Sequence, residues 1–244
     1  MDNNPAERLY KIVDLCLKSD GSTVKEQLIR IFSLKQNDKT SLFSCILQIN
    51  NLIQEVKLAI EENPELNKEI YLSPFPALIS AFDIFNFDAS WNDTIRKHIT
   101  SEVKIRLEYI KDGLSKIHFE KNIEATNIKE IIKEIDNLYD QINKSDLHKK
   151  LKTIILDMLI SMRRAINEYQ IGGAKRLRDV LNEIITKLLS DKDLFNESKD
   201  KEEVKAFGII ISKINYMVTN AVNYYTLFNA AKENITVLLE YIKK

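Results

Sequence analysis

The sequence contains few of the residues that interrupt regular secondary structure. Its 244 residues include only five glycines, four prolines and two cysteines. So few turn-forming residues argue against a β-sandwich, a barrel or a collagen, and so few cysteines argue against a disulfide scaffold. All four prolines precede residue 77, so no later residue forbids helix continuation. We therefore predict an all-α protein.

The chain also lacks an excess of charge of one sign. Its 36 basic and 36 acidic residues cancel, which removes any general electrostatic attraction to a polyanion. Binding of a nucleic acid would therefore need a local basic patch. Lys is abundant and Arg is scarce, a composition that suggests AT-rich coding DNA, as in low-GC bacteria and their mobile elements.

Long apolar runs are missing as well. The N-terminus does not show the pattern of a secretory signal, and no window reaches the ~18 apolar residues of a transmembrane helix. Cys16 and Cys45 do not have metal or redox spacing, so we interpret them as small buried apolar residues. We expect a cytoplasmic protein without stable membrane insertion.

Two prolines separated by one residue form the clearest break in the sequence, at Ser73-Pro74-Phe75-Pro76. This break divides the chain into an N-terminal region of short helices, 1–72, and a bundle of longer helices, 73–244. We expect the two regions to fold as one cooperative domain. Within the first, the apolar pattern predicts a helix from about Ser41 to Asn63.

Sustained helical periodicity dominates the second half of the chain. From Leu147 to Leu189 apolar residues recur every three or four positions without a phase slip, which predicts one helix of about 40 residues. The segment 204–242 has the spacing of a coiled-coil seam. The short polar stretch between them, 190–199, favours an antiparallel pair. The predicted fold is an elongated helical bundle with a long antiparallel C-terminal helical hairpin.

Residue patterns that carry known chemistry are absent from the sequence. The three histidines stand alone, without metal-ligand spacing, and we find no nucleophile elbow, phosphate-binding loop or dinucleotide fingerprint. We therefore predict no catalytic residue, no metal and no cofactor, and we favour a protein that is not an enzyme. Helical enzymes can nevertheless assemble a site from dispersed Asp, Glu, Arg and Tyr, which one sequence does not reveal.

Arginine is concentrated in one segment. Four of the eight arginines lie between positions 163 and 178, and a guanidinium makes bidentate bonds to phosphate or carboxylate that an ammonium cannot make. On a continuous helix several of these residues and their polar neighbours would share one shoulder. The candidate anion-binding or partner-binding residues are Arg163, Arg164, Asn167, Gln170, Lys175, Arg176 and Arg178.

Two other interpretations of this arginine cluster remain open. Gly172 and Gly173 would let a neighbouring helix approach closely, and the arginines would then form ion pairs with carboxylates such as Glu168, Asp179 and Glu183. Alternatively, the glycines would break the helix, and a new helix N-terminus beginning at 174–176 would attract an anion. The unbroken apolar register favours the first of these two.

A second candidate segment, 71–91, is aromatic and acidic. It holds four of the ten phenylalanines and the only tryptophan, and it contains neither Lys nor Arg. Such a segment is typical either of the most deeply buried helix of a bundle or of a docking surface for a protein partner. The candidate docking residues are Phe75, Phe82, Phe85, Phe87 and Trp91.

These observations leave two principal functional hypotheses. The first is a non-enzymatic helical protein that acts through a protein partner or through homo-oligomerisation, as an adaptor, an assembly subunit or an immunity-type component. The alternative is a nucleic-acid or phospholigand-binding accessory protein of a mobile-element or phage-defence system, which would use the cluster from Arg163 to Arg178.

Overall fold

The protein is described by a computed structural model that covers residues 2–32, 34, 36, 38–84, 86–115 and 120–221. Over these residues the chain forms eleven α-helices, one π-helical turn and two strands of two residues each. The prediction of an all-α fold is confirmed. Within the same residues, no helix combines the length and apolar character needed to span a membrane.

The helices group into two compact units. The N-terminal unit consists of the described residues of 2–115 together with Gln170–Gly173, and the C-terminal unit consists of Glu120–Tyr169 and 174–221. Pro74 and Pro76 lie inside the N-terminal unit, where they introduce a helix. The two prolines therefore mark a turn between two helices that share one core. The boundary between the two units lies near residue 119, and not at residue 72 as predicted from the sequence.

The N-terminal unit contains six of the α-helices that the structure describes. Asn4 begins the first of them by accepting a hydrogen bond from the Glu7 amide at 2.8 Å, and Pro5 occupies the first helical position. The first helix packs against the third and the sixth. The elements are β1 (Asp2–Asn3), α1 (Pro5–Lys18), α2 (Val24–Phe32), α3 (Lys39–Glu61), α4 (Lys68–Tyr71), α5 (Phe75–Phe82), a π-helical turn (Asn92–Arg96) and α6 (Ser101–Leu114).

The C-terminal unit is built from longer and more regular helices. One face of its first helix buries Ile131, Ile135, Leu138 and Ile142, whose spacing of three and four places them on a single stripe. This helix packs against both the second and the last described helix of the unit. The elements are β2 (Glu120–Lys121), α7 (Ala125–Lys144), α8 (Lys149–Asn167), α9 (Tyr169–Ser190), α10 (Lys192–Glu197) and α11 (Glu202–Ala221).

The predicted single helix from Leu147 to Leu189 is wrong. α8 ends at Asn167, and α9 is interrupted at Gly173, whose φ of 61° and ψ of −161° are not helical. This backbone conformation is open only to glycine without substantial strain. The apolar spacing misled the prediction because it records which positions are buried, and not whether the same neighbours bury them. Ile171 is buried in the core of the N-terminal unit, whereas Leu177 is buried in the C-terminal one.

The predicted C-terminal hairpin stays a prediction. Between α9 and α11 the structure has the short helix α10 where the sequence predicts only a polar connection. α11 is described as far as Ala221, so the part of the predicted coiled-coil seam from 222 to 242 lies outside the described residues.

Candidate functional site

The clustered arginines do not share one helix face. Arg163 and Arg164 lie on α8, whereas Arg176 and Arg178 follow the interruption at Gly173. The predicted shoulder required uninterrupted helical rotation from 163 to 178, and the conformation of Gly173 removes that condition. Asn167 is the last residue of α8, and Gln170 belongs to the segment Gln170–Gly173, which groups with the N-terminal unit.

Two of these arginines are bound by carboxylates of the C-terminal unit. Arg163 Nε lies 2.9 Å from Asp136 Oδ1, and its guanidinium also donates a hydrogen bond to Asn167. Arg176 Nε lies 2.7 Å from Oε2 of Glu168, a residue only 7% exposed. A carboxylate this buried is costly without a cation. Arg176 therefore stabilises the fold of this unit through Glu168, and Arg163 is paired with a more exposed carboxylate of α7.

The remaining basic residues of the cluster differ in their contacts. Arg178 Nε lies 3.9 Å from Asp179 Oδ1, at the outer limit of an ion pair. Arg164 and Lys175 are exposed, and neither side chain forms a hydrogen bond or ion pair within the described part of the chain. An external anion would therefore meet Arg164 and Lys175 first, with positive charge that no nearby carboxylate neutralises.

Most of the predicted docking aromatics are in the core of the N-terminal unit. Phe75, Phe82 and Trp91 are between 0% and 2% exposed, so their rings are not accessible to a partner. Phe85 lies outside the described residues. Phe87 is half-buried. For three of these residues the structure matches the interpretation of 71–91 as a deeply buried segment, and the docking role does not apply to them.

Phe87 is fixed in place by backbone pairing with the start of α2. The Lys25 amide donates to the Phe87 carbonyl at 2.8 Å, and the Trp91 amide donates to the Ser22 carbonyl at 3.1 Å. The Phe87 ring then meets the Phe43 ring edge to face, with the centroids 4.8 Å apart and the planes at 86°. The aromatic segment thus reaches the surface at Phe87, against α3.

The exposed side of α3 is the feature that the sequence did not reveal. Phe43, Leu47 and Leu58 are 56%, 58% and 54% exposed, although Phe43 and Leu47 belong to the apolar pattern that predicts this helix. Asn51 and Gln54 are exposed between them. At 100° per residue, these five residues fall within about 80° of the helix circumference. We call Phe43, Leu47, Asn51, Gln54 and Leu58 the α3 stripe.

The α3 stripe contains no charged residue. The sequence from Thr40 to Gln54 is uncharged throughout, and the stripe continues to Lys39 at one end and to Glu62 at the other, both exposed. Single exposed apolar side chains are ordinary on protein surfaces, but three on one uncharged stripe are typical of an interaction surface. The uncharged run is visible in the sequence, but it does not show by itself that this side of the helix is exposed.

A buried arginine outside the cluster was also missed. Arg8 is 2% exposed. Its Nε donates a 3.0 Å hydrogen bond to the Ile171 carbonyl, and one terminal nitrogen lies 3.5 Å from Glu55 Oε1. The guanidinium thereby links α1 and α3 to the segment Gln170–Gly173 within the N-terminal unit. Its role is to position this segment, and no sequence pattern distinguishes it from other arginines.

The titratable groups with shifted pKa values have structural roles. Hydrogen bonds from Lys104, at 2.7 Å, and Lys18, at 2.6 Å, hold the pKa of Asp14 below its usual range and tie α1 to α6. Burial raises the pKa of the Cys16 thiol to about 12, so this thiol is a poor nucleophile at neutral pH. Among the described residues, no three His, Cys, Asp or Glu side chains are placed to hold a metal ion.

Comparison with protein-family models, curated proteins and solved structures found no match to this chain.

Proposed function

We propose that the protein is a non-enzymatic interaction or assembly component that binds protein through its N-terminal unit. The observation that carries this proposal is the α3 stripe, which exposes three large apolar side chains on one uncharged helix face. Burying each of them against a partner would contribute roughly 1 to 2 kcal/mol before the cost of association. Such a surface suits an adaptor, a subunit or an immunity-type protein.

The packing of the Phe43 ring against Phe87 adds support. Its edge-to-face contact with Phe87 holds the ring while leaving it 56% exposed. A side chain that is already ordered loses less conformational entropy when a partner covers it. Aromatic anchors of this kind are enriched among the residues that dominate binding energy at protein interfaces.

A second candidate is a nucleic-acid or phospholigand-binding accessory protein. It is favoured by the interruption at Gly173, after which a helical segment begins near the exposed Lys175, with Arg178 one turn later. The ion pairs of Arg163, Arg176 and Arg178 weigh against it, because three of the four guanidiniums already lie near a carboxylate. A salt-dependent titration with nucleic acid tests it, and equal affinity of the wild type and an Arg164→Ala, Lys175→Ala, Arg178→Ala variant would reject the assigned residues.

A cytoplasmic location forms part of the proposal. Both cysteines are free thiols buried in the N-terminal unit, a state that persists in a reducing compartment.

The proposed function is tested by protein capture with matched variants. Tagged wild type, Leu47→Asp and Ile209→Asp would be expressed in the native cell and their bound proteins, including untagged copies of the same chain, identified after crosslinking. Leu47 and Ile209 are 58% and 55% exposed, so both substitutions should leave the fold intact. We expect Leu47→Asp to lose the partner and Ile209→Asp to retain it. Equal capture by all three chains would reject the surface.

A further inference from the structure

The exposed residues of α3 form a self-complementary pattern, in which one copy of the helix pairs with a second copy. From Lys39 to Glu62 the exposed positions are 39, 40, 43, 47, 51, 54, 58 and 62, and the remaining positions are buried or half-buried. The buried face, which includes Ile49, Leu52 and Val56, lies on the opposite side of the helix. The exposed face is therefore a stripe about 35 Å long at 1.5 Å per residue, which winds by about 140° around the helix between Lys39 and Glu62.

The fully exposed charges of this face lie at its two ends, with opposite signs. Lys39 is exposed at the N-terminal end and Glu62 at the C-terminal end, whereas the half-buried Glu61 pairs with Lys57 at 3.8 Å. Each sign is opposite to the one that the helix dipole favours at that end, so the dipole of α3 does not account for this placement. An external surface of complementary charge would account for it.

A second copy of α3 running antiparallel supplies that complement. With a two-fold axis near Asn51, Lys39 of one copy lies beside Glu62 of the other, and Phe43 lies against Leu58. Leu47 then meets Gln54, and the two Asn51 side chains meet at the axis. A parallel pair would instead place Lys39 against Lys39 and Glu62 against Glu62. An isologous contact of this kind closes the assembly at two chains.

We propose that the α3 stripe is the interface of a two-fold symmetric homodimer in which α3 packs antiparallel against α3 of a second copy. This deepens the proposed function and depends on it, because it names the partner of the same surface as the chain itself. One helix pair is a small interface of the weak, transient class, and we expect a dissociation constant of roughly 1 to 100 µM.

The first test uses single cysteine variants of the full chain under mild oxidation. The native Cys16 and Cys45 are buried, so the added thiol reports the interface. In the antiparallel pair the two copies of residue 51 lie next to each other. The two copies of residue 43 lie about 22 Å apart along the helix axis, which is beyond the reach of a disulfide. We expect Asn51→Cys to form a covalent dimer and Phe43→Cys not to form one. Equal crosslinking of both variants would overturn the antiparallel arrangement.

The second test reverses the end charges and measures the dimer by sedimentation equilibrium. Lys39→Glu and Glu62→Lys should each weaken association about fivefold, and the double variant should restore it because the two pairs are then complementary again. A double variant weaker than either single one would contradict the proposal. The buried surfaces are unchanged, so circular dichroism should show the same helix content for all variants.

The outcomes separate this inference from the proposed function. A purified wild-type chain that stays monomeric at about 1 mM, well above the expected dissociation constant, would overturn the homodimer. If Leu47→Asp then still loses a different protein from the native cell, the proposed function stands with another partner. If the wild type dimerises and Leu47→Asp weakens the dimer at least tenfold while Ile209→Asp does not, both are supported.

Discussion

Both units pack helices around an apolar core, but the residues that form the two cores differ in type. The N-terminal unit contains all four prolines, both cysteines and the only tryptophan, and it buries Asn4, Arg8, Gln27 and Asn63. The described part of the C-terminal unit is mainly aliphatic inside, and it carries ion pairs between its helices, such as Arg163 to Asp136 and Lys213 to Glu134. The first core holds several buried polar contacts, whereas the second is built mainly by repetition of an apolar pattern, with Glu168 buried against Arg176.

This difference decides which interactions are expensive to lose. A buried polar group that loses its partner leaves an unsatisfied donor or acceptor, so the N-terminal unit should be sensitive at a few polar positions. Ion pairs at the surface of the C-terminal unit are partly solvated, and each contributes little. Loss of a large apolar side chain should be costly in both.

The largest effect should come from truncating a core phenylalanine in each unit. Phe82 and Phe207 are 0% and 1% exposed, so Phe82→Ala and Phe207→Ala should each lower the free energy of unfolding of its own unit by about 3 to 5 kcal/mol. Trp91 lies in the N-terminal unit, so its fluorescence during urea unfolding reports that unit. We expect Phe82→Ala to shift this transition and Phe207→Ala to leave its midpoint unchanged.

The same experiment checks whether the division into units is also a division of cooperativity. Far-ultraviolet circular dichroism reports the helices of both units and serves as the second probe. Identical shifts of the Trp91 transition in the two variants would show that the chain unfolds as the single cooperative domain expected from the sequence.

An intermediate effect is expected from the buried arginine. Arg8→Met removes the donor to the Ile171 carbonyl and the partner of Glu55, and should lower the free energy of unfolding by about 2 to 3 kcal/mol. The matched control is Arg106→Met, because Arg106 bonds to side chains at the surface, Glu102 on its own helix and Ser73. Its cost should stay within about 0.5 kcal/mol. Equal costs in urea denaturation would show that the N-terminal unit does not depend on this polar contact.

The smallest effects concern one ion pair in each unit and are distinguished by pH. Lys104 and Lys18 lower the pKa of Asp14, and Lys201 lowers the pKa of Asp146. A carboxyl group whose pKa is lowered in the folded state stabilises the fold at pH values above its ordinary pKa of 3.8. This stabilisation is lost as the pH falls through the lowered pKa. Asp14→Asn should therefore cost about 0.5 to 1 kcal/mol at pH 7 and almost nothing near pH 2.

Asp146→Asn should follow the same pH dependence with a smaller amplitude, since both Asp146 and Lys201 are largely exposed. Thermal unfolding at several pH values measures both variants. A cost that persists at low pH, or a larger effect at Asp146 than at Asp14, would contradict the roles assigned to these pairs.

The sequence predicts the helical class and most of the buried positions, because apolar periodicity records burial directly. In the C-terminal unit the stripe of α7 follows this pattern. The pattern fails at Gly173, where spacing continues while the packing partner changes, and at Phe43 and Leu47, where apolar character does not mean burial. Periodicity contains no information about which neighbour covers a residue, and that information decides both cases.

The candidate site was harder to predict than the fold for the same reason. Arginine enrichment at 163–178 is visible in the sequence, but the carboxylates that neutralise Arg163 and Arg176 are identified only by the fold. Asp136 lies 27 positions before Arg163, and no local pattern connects them. The α3 stripe was not predicted at all. The sequence shows that the run from Thr40 to Gln54 is uncharged, but it does not show which side of the helix is exposed.

The segment Gln170–Gly173 also sets the order in which the chain can be completed during synthesis. Ile171 is buried in the core of the N-terminal unit and its carbonyl accepts the hydrogen bond from Arg8, although more than 50 residues separate it from the rest of that unit. On the ribosome, residues 2–115 must therefore wait for β2, α7 and α8 to be made before the last piece of their core emerges. A fragment ending at residue 115 would expose the surface that Ile171 covers, and the natural folding unit is a chain that extends past Gly173.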